Sequence, residues 1–387
     1  MTERAKKPTS DRMKILQVVL VVVAAFLGWK LATYESPKSF SSRYILEQCV
    51  PEASNKPLDQ FTDADDANLK TLALHAAAAA GQRSYLRRLI SGDPEPNYMF
   101  DVKYVKLARI RRFQNLEDLS LEGLEEPDLS ALKDLKKLTV LSIRSTPVQD
   151  IAALQDLGQL RRLSLDETAV ADIAPIQGLT SLQELSLNGS PISDAGPIRD
   201  LKALQRLDLG KTPVADLAFA QGLTSLREFV LSDTKVADLA PLKGLKALTR
   251  LDLSRAPVED LGPLQELLAL KELNLNGTKA ADLAPLQKLS ALEALDLGDT
   301  AVADLAPLKG MAQLKSLDIS GTAVTDLEPL QTLAALQTLS LNKTKVSSLK
   351  PLEGLKTLTR VSFKESEVTV QELNRMKKAM PKVRFTR

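Results

Sequence analysis

Residues Leu314 to Ala335 read LKSLDISGTAVTDLEPLQTLAA. The same 22-residue unit begins at Leu116, Leu138, Leu160, Leu182, Leu204, Leu226, Leu248, Leu270, Leu292, Leu314 and Leu336, with no insertion or deletion. A twelfth copy opens at Leu358 and then diverges. A fixed period of this length carrying LxxLxL means that each unit is one small supersecondary element, stacked on its neighbours into a solenoid.

With the opening Leu as position 1, positions 4 and 6 are apolar in every copy, as in Leu317 and Ile319. Polar residues alternate with them, which predicts a short strand with one buried face. Position 9 is Thr in eight copies, from Thr146 to Thr344, and Ser190 in another. A hydroxyl there can bond backbone groups left open where the chain leaves the strand. Position 13 is Asp in ten of eleven copies, from Asp128 to Asp326, followed by an L-x-P-L pattern such as Leu327 to Leu330. Asp ahead of a short apolar turn predicts a helix N-cap, and Pro is tolerated in a first turn. Positions 1, 4, 6, 11, 14, 17 and 20 then converge on an interior that no unit can bury alone.

The pattern LxxLxLxxTxVxDLxPLxxLxx resembles the repeat of bacterial leucine-rich repeat proteins of the internalin type, over residues 116–357. The resemblance implies an α/β leucine-rich repeat solenoid: a right-handed horseshoe or arc, with a parallel concave sheet and short helical turns on the convex side. It also implies protein binding on the concave face, but it supplies no motif that assigns contact residues. Position 9 departs from the internalin pattern, with Thr standing where Asn is usual. A threonine ladder is therefore expected in place of an asparagine ladder.

Composition narrows the function classes. With 51 basic and 49 acidic residues the net charge is +2, which gives no footprint for nucleic acid. Aromatic residues make up only 4%, few for a surface that stacks bases or sugars. The one cysteine, Cys49, and the one histidine, His75, both precede the repeats. No intrachain disulfide can form, and the repeats hold no Cys/His zinc site or nucleophilic pair. Cys49 reads as a lone packing thiol and His75 as a structural histidine. No metal, cofactor or catalytic residue is expected.

Ahead of the repeats, residues 1–14 form a basic tail and residues 15–34 an apolar run, ILQVVLVVVAAFLGWKLATY. That run is long enough to cross a bilayer, with Trp29 and Tyr34 at belt positions. Its flanking charges put the tail in the cytoplasm and the repeats outside, in a periplasm or at a cell surface. A cleaved signal peptide ending near Val23-Ala24-Ala25 is the rival. Residues 35–61 read as a linker. Residues 62–93 read as a helical hairpin capping the first repeat, with helices near 63–80 and 83–90. Residues 94–115 fit the repeat frame only in their second half, with Leu107, Ile110 and Phe113 at positions 14, 17 and 20. Residues 358–387 supply a twelfth strand, a capping box at Thr369–Glu372, a helix to about Met380, and a last strand near 383–385.

Positions 3, 5 and 7 of each strand are expected to face solvent. Position 3 reads Arg162, Glu184, Arg206, Glu228, Arg250, Glu272 down successive strands. At about 4.8 Å between strands these charges form a ladder. It either stabilises the exposed sheet or selects a polar protein partner, and these six residues are the candidate contacts. Position 5 places Asp296 beside Asp318, the sole carboxylate pair that would suit a cation or acid/base chemistry. With few further oxygens beyond Asn274 and Asn276, a metal site or an enzyme is not expected. The reading is thus a membrane-anchored, exported scaffold, expected to be monomeric, that binds a protein partner. The alternative is a structural spacer of the envelope with no specific ligand for the sheet.

Overall fold

The computed structural model describes residues 70–75, 107–124 and 127–387. These residues belong to one compact unit spanning Cys49–Arg387. The apolar run at 15–34, the linker and most of the expected hairpin lie outside the described residues. Among the described residues no helix is long and apolar enough to cross a membrane.

Strict repetition produces a single sheet. Among the described residues fourteen parallel strands follow one another in chain order. They are β1 (Thr71–His75), β2 (Asp118–Glu122), β3 (Val140–Arg144), β4 (Arg162–Ser164), β5 (Glu184–Ser186), β6 (Arg206–Asp208) and β7 (Glu228–Val230). After them come β8 (Arg250–Asp252), β9 (Glu272–Asn274), β10 (Ala294–Asp296), β11 (Ser316–Asp318), β12 (Thr338–Ser340), β13 (Arg360–Ser362) and β14 (Arg384–Thr386). Because the period never slips, residues 22 apart are register partners from β2 to β13, for example Arg206 with Glu228 and Leu295 with Leu317. Between strands each unit makes a 3-10 helix of three to six residues, such as Glu328–Thr332.

One apolar core runs the length of the solenoid, from Leu107 to Met380. In the unit that begins at Leu314 all seven expected interior positions are buried: Leu314, Leu317, Ile319, Val324, Leu327, Leu330 and Leu333. The threonines of position 9 are buried as well, and from Thr168 onward their hydroxyls donate to the carbonyl at position 6 of the same unit, as Thr300 does to Leu297 at 2.6 Å, while Thr146 donates to the position-7 carbonyl of Arg144 at 2.8 Å. These are bonds within a unit; a contact between neighbouring position-9 side chains is made by Thr168 and Ser190, 3.0 Å apart. Each position-13 carboxylate accepts from the backbone N–H two residues on, at the head of the 3-10 helix, as Asp282 does from Ala284 at 2.8 Å. Ser348 takes the same role in the eleventh unit at 3.4 Å. The acidic row therefore bonds backbone at the head of each turn, as the expected N-cap at Asp128 and from one residue ahead of the N-cap in the later units.

The start of the solenoid departs from expectation. Residues 71–75, assigned by composition to a helix, form β1 and pair in parallel with β2. Ala and Leu favour helix, but a strand edge left open by β2 outweighs that weak preference. The segment Leu69-Lys70-Thr71-Leu72-Ala73-Leu74 is itself an LxxLxL. The Lys70 carbonyl accepts from Glu117 and Asp118, the same bonds that the Glu117 carbonyl receives from Thr139 and Val140. The first unit is thus split. Its strand is β1, and its helical turn is Leu107–Arg112, where Leu107, Ile110 and Phe113 are buried as their frame positions require.

At the other end, α1 (Val370–Ala379) closes the core with Met376. Thr369 Oγ1 accepts from the Glu372 N–H at 3.1 Å, which is one half of the expected capping box. The other half is absent, because the Glu372 carboxylate accepts from the Leu349 N–H and from Arg375. The last strand, β14, pairs with β13 one residue beyond its expected bounds.

Position 8, just past the strand, has a left-handed backbone in each of the twelve units that begin at Leu116 to Leu358. Gly123, Gly189, Gly277 and Gly321 occupy it in four units. Ser145, Glu167, Lys211, Asp233, Arg255, Asp299, Lys343 and Glu365 occupy it in eight, with φ between 49 and 59°. Residues with a Cβ pay about 1–2 kcal/mol for that conformation.

Candidate functional site

Strand alternation sends positions 4 and 6 into the core and leaves positions 3, 5 and 7 on the open face of the sheet. The position-3 residues come together as the sequence implies. Arg206 lies between two carboxylates, 3.9 Å from Glu184 and 3.2 Å from Glu228. Arg250 sits 3.0 Å from Glu272. Arg162 pairs in register with Glu184, and its charge also acts on Asp118 two strands away. Burial nevertheless holds the Asp118 carboxyl above its ordinary range. The column is self-neutralising and partly exposed, so each pair contributes about 0.2–1 kcal/mol.

The position-5 column changes character along the sheet. Ser120, Ser142, Ser164 and Ser186 are buried on β2 to β5. From β6 to β11 the column carries Asp208, Asp252, Asp296 and Asp318, with Val230 and Asn274 between them, and β12 and β13 return to serine with Ser340 and Ser362. Asp208 is 6% exposed. It is held by the Gly210 N–H at 2.8 Å and the Asn188 amide at 3.2 Å. Burial pushes its carboxyl up to about 6; those two donors oppose the shift, while Asp166 and Asp252 add to it.

The arrangement around Asp208 recurs four units further on. Asn276 donates to Asp296, and so does the Gly298 N–H at 2.9 Å. In both places an Asn from the preceding unit leans over a position-7 glycine. A Cβ at Gly210 would meet the Asn188 amide nitrogen at 2.6 Å. The glycine makes room for the amide, and the amide lets a carboxylate sit half-buried on the sheet. Nothing in the repeat consensus announces this Asn, Asp, Gly set, because it spans two units and falls at positions that vary.

Asp296 and Asp318 are direct register partners, as expected. Burial raises the Asp296 carboxyl, and the Asp318 charge adds to that. Among the described residues no group of three or more His, Cys, Asp or Glu is placed to hold a metal ion. Asp166, on β4's outgoing turn, is buried and accepts from Ser186 and Asn188, with Arg144 3.3 Å away. A second line of charge follows the strained position-8 residues at the edge of the face, where Arg255 pairs with Asp233 through two nitrogens.

No protein-family model matches the sequence, and no curated protein matches it. Among solved structures, an internalin from Listeria monocytogenes superposes over 85% of this chain and 91% of its own, at 25% identity and a TM-score of 0.73. The chain is a leucine-rich repeat protein with internalin-type repeats. A leucine-rich repeat protein of Leptospira interrogans covers 84% of this one and 97% of itself, at 18% identity and a TM-score of 0.53. A plant peptide hormone receptor, in complex with RGF2, covers 67% of this chain and 45% of its own, at 18% identity and a TM-score of 0.57. These last two share the leucine-rich repeat fold. In most of the present repeats a buried threonine hydroxyl at position 9 closes the unit on itself.

Proposed function

We propose that this leucine-rich repeat protein is an exported, membrane-tethered scaffold that binds a protein partner through the open face of its sheet. The observation that carries the reading is that face: an unbroken run of parallel strands whose positions 3, 5 and 7 are mostly polar and in register, over a core built from other positions. The sequence supports tethering and export through the apolar run at 15–34 and its basic flank. Arg162, Arg206 and Arg250 are the anchors of choice, since arginine on a surface short of aromatic groups is the remaining hot-spot residue.

A spacer without a ligand for the sheet is the competing reading. It is favoured by the way Arg206 is already satisfied from both sides by Glu184 and Glu228. Proximity labelling in the native host separates the two, comparing wild type with a variant carrying Arg162→Glu, Arg206→Glu and Arg250→Glu. A partner captured by wild type and lost by the variant supports the binding face. An unchanged set of captured proteins moves binding off the face, and an empty set for both leaves the spacer.

A further inference from the structure

The open face is complementary to itself. Take a two-fold axis against the face, parallel to the strands and lying between β6 and β7. It reverses the order of strands and keeps like positions opposite: β6 meets β7, β5 meets β8, β4 meets β9, β3 meets β10 and β2 meets β11. At position 3, Arg206 then lies opposite Glu228, Glu184 opposite Arg250 and Arg162 opposite Glu272. All six charges find an opposite charge, and symmetry makes each pairing twice.

Position 5 raises no conflict. The buried serines of β2 to β5 fall opposite the acidic half of the column and set no charge against it: Ser186 faces Asp252, Ser142 faces Asp296 and Ser120 faces Asp318. Ser164 meets Asn274, and Asp208 meets Val230. At position 7, Asp166 meets Asn276 and Arg144 meets Gly298. Nowhere in the three columns does a carboxylate meet a carboxylate or a cation a cation. The placement of the axis matters. On β7 it would set Arg206 against Arg250. Between β7 and β8 it would leave Glu184 and Arg162 opposite Ala294 and Ser316.

We infer that the occupant of the open face is a second copy of this chain, bound face to face about that axis. The inference rests on reading the sheet as a binding face, and it replaces the monomer expected from sequence. Ten strands at about 4.8 Å and five residues at about 3.3 Å give a patch of roughly 700 Å² per copy. That is close to the ~800 Å² per partner of an ordinary specific interface.

The test uses the full chain in mild detergent, with sedimentation equilibrium over a range of concentrations and salt. Wild type is expected to form a dimer that weakens as salt rises. Arg206→Glu puts two carboxylates opposite each other on both sides of the axis and should weaken the dimer at least about tenfold. Adding Glu228→Arg restores opposite charges across the axis while setting like charges side by side within the column. The double variant should therefore melt no higher than the single one and yet dimerise to within about threefold of wild type. A binding face for a different protein would show no such rescue. A wild type that stays monomeric, a dimer indifferent to Arg206→Glu, or a double variant as weak as the single would each overturn the inference. If wild type is monomeric while the three arginines still govern capture of another protein, the binding face stands and the second copy falls.

Discussion

Asp208 offers a direct measure of how closely the open face is packed. Its carboxyl is pushed to about 6 mainly by burial, against about 3.9 for an unfolded aspartate. A carboxyl whose folded value is raised holds its proton longer in the folded state than in the unfolded one. Its favourable contribution is therefore complete below about pH 4 and is lost as pH rises through about 6. The gap of about 2 pH units, at about 1.4 kcal/mol each, sets a ceiling of about 3 kcal/mol by which the ionised group weakens the fold at neutral pH. Asp208→Asn removes the charge and keeps an oxygen for the Gly210 N–H, which donates to Oδ1 at 2.8 Å. The variant should be more stable than wild type by about 1–3 kcal/mol near pH 7, and the gain should shrink to nothing near pH 4. Urea unfolding followed by circular dichroism at a series of pH values measures it. A variant no more stable than wild type at neutral pH, or a gain that does not change with pH, would refute the assignment of burial as the cause.

Two further predictions concern the turns. Lys343 has a φ of 54° and Gly277 a φ of 68° at the same position of the repeat. Lys343→Gly should raise stability by about 0.5–1 kcal/mol in thermal or urea unfolding, because the relieved strain exceeds the added freedom of the unfolded chain. Gly277→Ala should lower it by a similar amount, since its Cβ would also come within 3.1 Å of the Arg255 side chain. Asp260→Ala removes the carboxylate that accepts from the Gly262 N–H at 2.7 Å and should cost about 1 kcal/mol. Millimolar calcium should leave the melting temperature of wild type unmoved, as expected of caps and not of a cation row.

Legibility followed repetition. The buried positions recur every 22 residues, so Leu314, Leu317 and Ile319 announce a strand and Asp326 announces its cap from sequence alone. The split first unit escaped because its two halves are separated: Leu69 to Leu74 carries the LxxLxL, but residues 76–106 come between it and Leu107, and strong helix formers surround it. Searching for the strand pattern without its period would have found it. Position 8 escaped for a different reason. A left-handed backbone normally advertises itself by glycine, and here lysine, aspartate, arginine and glutamate occupy it in most units, held there because the surrounding turn and the bonds of the next strand fix the backbone.

The open face obeys the opposite rule, and this is where individuality resides. Its positions are free of the core, so the repeat imposes only the spacing between charges and not their identity. The identities nonetheless fall into blocks: serine at position 5 from β2 to β5, aspartate at that position on β6, β8, β10 and β11, and strict alternation of Arg and Glu at position 3 from β4 to β9. A sheet that only needed solubility would be served by mixed charges in any order. Alternation alone would be explained by ladder pairing within the column, as seen at Arg206 and Arg250. The serine and aspartate blocks gain nothing from that ladder. The division falls between β5 and β6, one strand from the midpoint of the position-3 series between β6 and β7. An axis at that midpoint therefore pairs opposite charges at position 3 and keeps the aspartates of position 5 clear of one another, which a two-fold partner requires and a spacer does not.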